Sequence, residues 1–384
     1  MKKMIGLCVA GLALAAALCQ AQTTPPAMTL TKMDAAKQKD WLVRWDKNIS
    51  HEAKGYRVCE SAVGEDIAWT MTPVLDGLYY GYMATKNTQY VDMLVDWADC
   101  LIKRAVKEPD GYVGWPSLKA AGTDVDNLDN TFNADSMLSD AMVFRPIVLM
   151  AGEMIKNPAL KEKYGAKGES YLKFAEQIYA KWAERGGWRE TKDGGMISLV
   201  LPYGMDPTHQ KWIGYDTRND PGHGFSHPDN KASEVAEWML AMWDVTGKPG
   251  YKDRAEKWFK LLKSRMTLKS DGTYEIWNYW QPAGPWDYKA DGSTKHWVGV
   301  HPRGGYYEMD TAAIVAAYEH GLVFTKADVD HLIATAKETK RMWSALAPYD
   351  VEIQQHYEAT ANPDDWGGLG ISHYLMLQSK LAGE

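Results

Sequence analysis

The segment Trp297–His320, WVGVHPRGGYYEMDTAAIVAAYEH, places an imidazole, a guanidinium and two phenols close together: His301, Arg303, Tyr306 and Tyr307. It opens as a glycine-containing loop and turns, around Glu308 to Asp310, into an alanine-rich apolar helix. Reactive groups on a loop that a packed helix holds at one end form a site on a rigid support. Such a set can move protons and neutralise a carboxylate. The competing reading has the tyrosines plugging a core and Arg303 pairing with a surface acid. A second loop, NDPGHGFSHPDN (219–230), sets His223 between two glycines. The backbone there can approach a ligand closely, and the imidazole can accept a proton near neutral pH. A loop histidine bonded to a carbonyl explains the same residue. His223 and His227, with Asp216 or Asp229, lie on a Gly/Pro loop rather than on one helix face, so no metal site is expected. A third segment, DVDNLDNTFN (124–133), lacks the glycine and the terminal glutamate of a calcium loop. Asn133 at its end either caps the next helix or offers its amide to a substrate carboxylate.

Carboxylates are the other candidate chemistry, because most glycosidases work with two of them. Glu65 with Asp66, and Glu308 with Asp310, open helices, where the helix dipole favours acids without any function. A hydrolase would draw on Asp66 with Asp310 or Glu308. The chain also has 17 Trp and 21 Tyr against 6 Phe. Rings with a flat apolar face and a polar tip suit sugar stacking, although large helical cores bury Trp as well.

The elements that must position these groups are mostly helical. Apolar residues recur at three- and four-residue spacing over about 34–47, 65–84, 88–107, 134–156, 168–184, 231–246, 250–266, 308–321, 326–345 and 369–381. Short strands are possible near 195–203 and 273–280. MATKNTQY (83–90) is echoed by DVTGKPGY (244–251) and more weakly by MIKNP (154–158). In each, a Gly or Asn past a helix end supplies the left-handed residue that closes it, and the short connection makes the neighbours antiparallel. Repeated antiparallel hairpins over this length predict an α/α toroid. Two long insertions, 185–230 and 267–307, are too rich in Trp, Tyr and His for disorder and are expected, with Tyr112–Asn133, to form the cleft.

The leading segment MKKMIGLCVAGLALAAALCQA reads as a secretory signal cleaved after Ala21, too short and poorly flanked for a membrane anchor. Residues 22–33 form a flexible lead-in, and 34–384 a single domain. The product is expected to be periplasmic or secreted, in a bacterial setting. Loss of the signal removes Cys8 and Cys19 and leaves Cys59 and Cys100, whose pairing stays open. A net charge of −7 without a basic run argues against a nucleic-acid partner. Oligomeric state is not readable.

The segment HWVGVHPRGGYYEMD, the loop PGHGFSHPDN and the hairpin repeat together resemble the α/α-toroid polysaccharide lyases that cleave uronic-acid polymers such as alginate and glucuronan, with polysaccharide lyase family thirty-eight the family suggested. The resemblance implies β-elimination without a cofactor. Asn133 and Arg303 would neutralise the uronate carboxylate. His223 would be the base and Tyr307 the acid, with Tyr306 as its substitute. His227, His301, Trp115 and Trp297 would be sugar contacts. Such lyases often show an Asn-His pair, and no His follows Asn133 here. Two other readings stand beside it: an inverting glycoside hydrolase using Asp66 with Asp310 or Glu308, and a non-catalytic glycan-binding protein.

Overall fold

The computed structural model describes residues 28–108, 110–116, 133–201, 204–206, 211–213, 224–364 and 369–382; for 133–134, 204–206, 211–213, 369 and 382 it describes the backbone alone. The helices are α1 (Ala35–Gly55), α2 (Asp66–Thr85), α3 (Gln89–Lys103), α4 (Met137–Lys156), α5 (Pro158–Glu184), α6 (Asp229–Thr246), α7 (Pro249–Arg265), α8 (Gly305–Glu319), α9 (Lys326–Glu338), α10 (Val351–Thr360) and α11 (Leu369–Ala382). A 3-10 segment, Ser344–Tyr349, precedes α10. In space α2 packs on α4, α4 on α6, α6 on α8, α8 on the 3-10 segment, that segment on α11, and α11 back on α2. This closes an inner ring. Helices α1, α3, α5, α7, α9 and α10 lie outside it, each against its ring neighbour. The α/α toroid is therefore the fold.

Ring helices and outer helices alternate in the chain, so the ring helices all run the same way. Their C-terminal ends lead into short connections and their N-terminal ends follow the long ones. Short antiparallel strands stiffen the long connections: β1 (Val106–Lys107) with β2 (Val113–Gly114), β3 (Asn133–Ala134) with β6 (Gly204–Asp206) and β7 (Lys211–Ile213), and β4 (Trp188–Glu190) with β5 (Met196–Val200) and β8 (Phe225–Ser226). The strand expected near 195–203 is β5. Near 273–280 only isolated bridges form, Leu268 with Tyr274 and Trp280 with Gly299.

Two of the three helix closures differ from expectation. Lys86, not Asn87, takes the left-handed conformation after α2 (φ 58°), and Asn87 instead accepts from the Gln89 amide. Asn157 is extended and caps α5, its side chain accepting from Ala159 N at 3.0 Å, because Pro158 starts the next helix directly. Gly247 behaves as expected, at φ 69°. Helix α4 is capped by Ser136 rather than by Asn133.

The aromatic usage is chiefly a property of the core. Among the described residues eleven tryptophans are buried: Trp41, 45, 97, 115, 182, 238, 258, 277, 280, 286 and 343. For several of them the indole N–H explains why Trp is used where Phe would fill the space, although those of Trp238, Trp258 and Trp343 have no partner. Trp97 donates to Ala53 O (2.8 Å), Trp115 to Leu101 O (2.9 Å) and Trp182 to Asp140 (2.7 Å), each joining separate segments inside an apolar region. Cys59 and Cys100 form a disulfide that ties the turn before α2 to α3. Gly81 on α2 lets the Trp45 ring lie against the helix backbone, and any Cβ there would meet that ring. Gly81→Val should therefore destabilise by about 1–3 kcal/mol despite the loss of a helix glycine; a urea midpoint equal to or above that of the parent would contradict the packing.

Candidate functional site

The ring encloses a lumen of about 290 Å³ to which α2, α4, α6, α8, the 3-10 segment, α10 and α11 all contribute side chains. Arg145, midway along α4, is its one guanidinium among the described residues, and three carboxyls converge on it. Its Nη2 donates to Asp76 of α2 at 2.6 Å, and its Nη1 to both Glu234 (2.8 Å) and Glu237 (2.6 Å) of α6. Glu234 and Glu237 reach one nitrogen because residues three apart share a helix face. Burial pushes all three carboxyls up, Glu234 to about 8, with Arg145 opposing the shift. Burial favours the protonated form of each carboxyl and the Arg145 charge favours the ionised form; Glu234, at about 8, keeps its proton at neutral pH.

Two further ends of the lumen carry acids. Near the start of α8, Glu308 accepts from the Ser344 hydroxyl and from Ala345 N (3.2 Å), and burial raises its pKa. At the C-terminal ends of α6 and α8, His320 Nε2 meets Asp244 at 3.0 Å. Burial alone would lower the His320 pKa; Asp244 outweighs it and the net shift is upward. Glu319 beside it accepts from the Tyr349 hydroxyl.

The loop residues 297–307 that the sequence singled out lie at the start of α8. Tyr279, Trp297, His301 and Tyr306 form one aromatic cluster: Trp297 stacks on Tyr279 (5.6 Å, 17°), Tyr306 stacks on the same ring (5.1 Å, 29°), and His301 meets Tyr306 edge-on (4.6 Å). Trp297 is 45% exposed. Its indole lies over Gly299, whose missing Cβ leaves the space, and Gly299 O receives Tyr279 N at 2.8 Å. Arg303 is exposed, and its backbone N–H donates to His301 Nδ1 (3.0 Å).

Several expected roles are corrected. Tyr307 is buried at 1% exposure, with its hydroxyl accepting from His301 N (2.9 Å). Arg341, not Arg303, lies over its ring, and burial raises the phenol pKa where an acid in exchange with solvent needs it lowered. His227 is buried, with Nδ1 on Ser198 Oγ (3.0 Å), and burial drives it down to about 3, so it is a neutral core histidine rather than a sugar contact. Trp115 is likewise in the core, packed against Phe144 and Phe174. His223 and the side chain of Asn133 lie outside the described residues. Asp66 is exposed at the start of α2. Asp310 is 2% exposed; Ser233 (2.8 Å) and Trp277 (2.9 Å) donate to it, and burial pushes it up to about 7. Of these three acids, Glu308 alone lines the lumen. Asp76, Glu234 and Glu237 were not singled out from sequence. The available signal was the pair Glu234/Glu237 at i, i+3 within an otherwise apolar helix.

No family model matches the sequence, and no curated protein matches it. The fold is similar to solved structures at low identity. One is an inactive variant of the α-1,6-mannanase GH76A of Salegentibacter sp. HEL1_6, with two consecutive aspartates replaced by asparagine and α-1,6-mannotriose bound: 11% identity over 90% of this chain and 100% of that one, TM-score 0.48. Another is a family 76 glycoside hydrolase from a bovine Bacteroides thetaiotaomicron strain, 11% identical over 90% of this chain and 77% of the other, TM-score 0.48. A polysaccharide lyase reaches 10% identity and TM-score 0.32, over 90% of this chain and 98% of the other. At these values none assigns an activity. The expectation of a β-eliminating alginate or glucuronan lyase is overturned at its site: the Tyr307 phenol expected to protonate the leaving group is sealed in the core, and burial raises its pKa.

The depressed His227 has a consequence for stability. Its native form is neutral, whereas the unfolded chain takes up a proton below about pH 6.5. Its contribution is therefore complete above that pH and is lost as pH falls from about 6.5 toward 3. Between pH 7.5 and 5 the loss is about 2 kcal/mol. The raised carboxyls act in the opposite sense, so the measurement is a difference. The stability gap between the parent and His227→Gln, from urea unfolding, should shrink by that amount at pH 5, and an unchanged gap would refute the assignment.

Proposed function

We propose that the chain is an exported glycoside hydrolase whose catalytic carboxyls are those of the lumen. The observation that carries this reading is the convergence of Asp76, Glu234 and Glu237 on the single Arg145 guanidinium, facing open volume at the centre of the ring. Glycosidic cleavage needs one carboxyl that holds a proton for the leaving oxygen and one that is ionised. Glu234, raised to about 8, is the proposed acid. Glu237, on the same nitrogen and with the most accessible side chain of the three at 15%, is the proposed ionised partner, the Arg145 charge opposing the upward push of its burial. Asp76, at 0%, positions Arg145 from the far side. Trp297 and His301 are proposed sugar contacts at the long-loop side.

Export is proposed from the leading segment, and the Cys59–Cys100 disulfide suits an oxidising compartment. No helix among the described residues is long and apolar enough to cross a membrane. The test is a panel of α-1,6-mannan, other neutral glycans, a glucosamine polymer and alginate, read both for new reducing ends and for ultraviolet absorbance. Reducing ends should appear while the absorbance stays flat, since hydrolysis forms no conjugated double bond. Glu234→Gln should lower kcat by about 10²–10⁴. Absorbing products, or full activity in E234Q, would reject the proposal; binding without any cleavage would point to a glycan-binding protein.

A further inference from the structure

The hydrogen-bonding inventory of the lumen is unbalanced. Three carboxyls share one guanidinium, and Glu308, Glu319 and Asp244 add three more acids to the wall. Among the described residues, the other basic groups there supply no spare positive charge. His320 is taken by Asp244, and His373 is pushed down to about 4 by burial. Among the buried atoms, Asp76 Oδ1 has no hydrogen-bond partner, and neither does the Tyr357 hydroxyl across the lumen. Asp76 is itself fully buried, so no bulk water relieves that oxygen. Arg145 Nε is a third unmatched atom, and it is a donor. The parallel ring helices direct their C-terminal, electronegative ends toward the Asp244 and His320 side.

A ligand that satisfies this wall brings donors and positive charge for the carboxyls, together with an acceptor for Arg145 Nε. A uronate carboxylate only accepts, and it would be placed among like charges. A neutral sugar hydroxyl meets part of the demand. A protonated amine next to a hydroxyl on a sugar ring meets all of it. We infer that the lumen binds an amine-bearing sugar residue, with the ammonium toward Asp76 and the neighbouring hydroxyl toward Arg145. This rests on the hydrolase reading for its catalytic meaning but not for its binding. It names the substrate class as glycans containing unacetylated hexosamine.

The experiment is calorimetric titration of the protein with three probes: a trisaccharide of β-1,4-linked glucosamine, the same trisaccharide fully N-acetylated, and a trisaccharide of guluronate. The free-amine probe should bind at least about tenfold more tightly than the acetylated one, a difference of about 1.4 kcal/mol, and the uronate should bind most weakly. Asp76→Asn should remove most of the amine preference, the affinity for the free-amine probe falling to about that for the acetylated one. If Asp76→Asn fails to fold, titration of the parent above the pKa of the probe's amine serves instead, and the preference over the acetylated probe should then be lost. Equal binding of the amine and its acetylated form, tighter binding of the uronate, or no binding of any probe overturns the inference. Amine-selective binding with no polymer cleaved would reject the hydrolase proposal alone. Cleavage of neutral glycans without amine selectivity would reject this inference alone.

Discussion

The Arg145 guanidinium is the interaction on which the ring depends. It stands on α4 and binds Asp76 on α2 and both Glu234 and Glu237 on α6, so one side chain spans three consecutive ring helices. Each of these charges is costly to bury alone, and removing one member leaves the others uncompensated, typically at about 3–5 kcal/mol. An apolar plug would close the ring at lower electrostatic cost. Retaining four ionisable groups around a void instead gives a polar shaft with displaced proton affinities, which is why the same cluster serves as support and as candidate site.

A second buried network holds up the long-loop end. Lys181 and Arg185, at the close of α5, reach Asp135 (3.0 and 3.2 Å), while Lys181 also meets Asp140 (2.9 Å) and Arg185 meets Glu108 (3.0 Å). Asp135 in turn accepts Trp115 N at 2.8 Å. The lysine and arginine hold Asp135 low against its burial, and burial drives Glu108 up to about 9. Asp287 does similar work farther along, accepting from Ser226 N (2.7 Å), Ser226 Oγ (2.7 Å) and Ala283 N (2.7 Å). The frame bearing Tyr279 and Trp297 is therefore rigid although it contains little regular structure.

Much of the architecture was legible because helical periodicity is local. Apolar spacing located nearly all the helices, and their short connections implied the hairpins of the toroid. The misses have local causes too. The apolar pattern of α5 is weak over 158–167, where Lys and Glu alternate, and Pro158 with Asn157 starts the helix there. Helix α10 carries few apolar residues, Ile353 being its one buried hydrophobic side chain. The site was less legible. The loop 297–307 does form an aromatic surface, but Tyr307, Trp115 and His227 turned inward, since residue type does not reveal which side of a loop faces the core.

Periodicity, turn residues and composition by themselves determined a helical, hairpin-built, acidic chain with aromatic-rich long connections, because each is set by neighbours a few residues apart. Only the tertiary structure decided the rest. Asp76, Arg145 and Glu234 are separated by 69 and 89 residues and meet solely because the ring closes. Their proton affinities follow from burial in that closed ring, a property no stretch of sequence possesses alone. The same closure converted a reading based on phenols and imidazoles into one based on carboxyls.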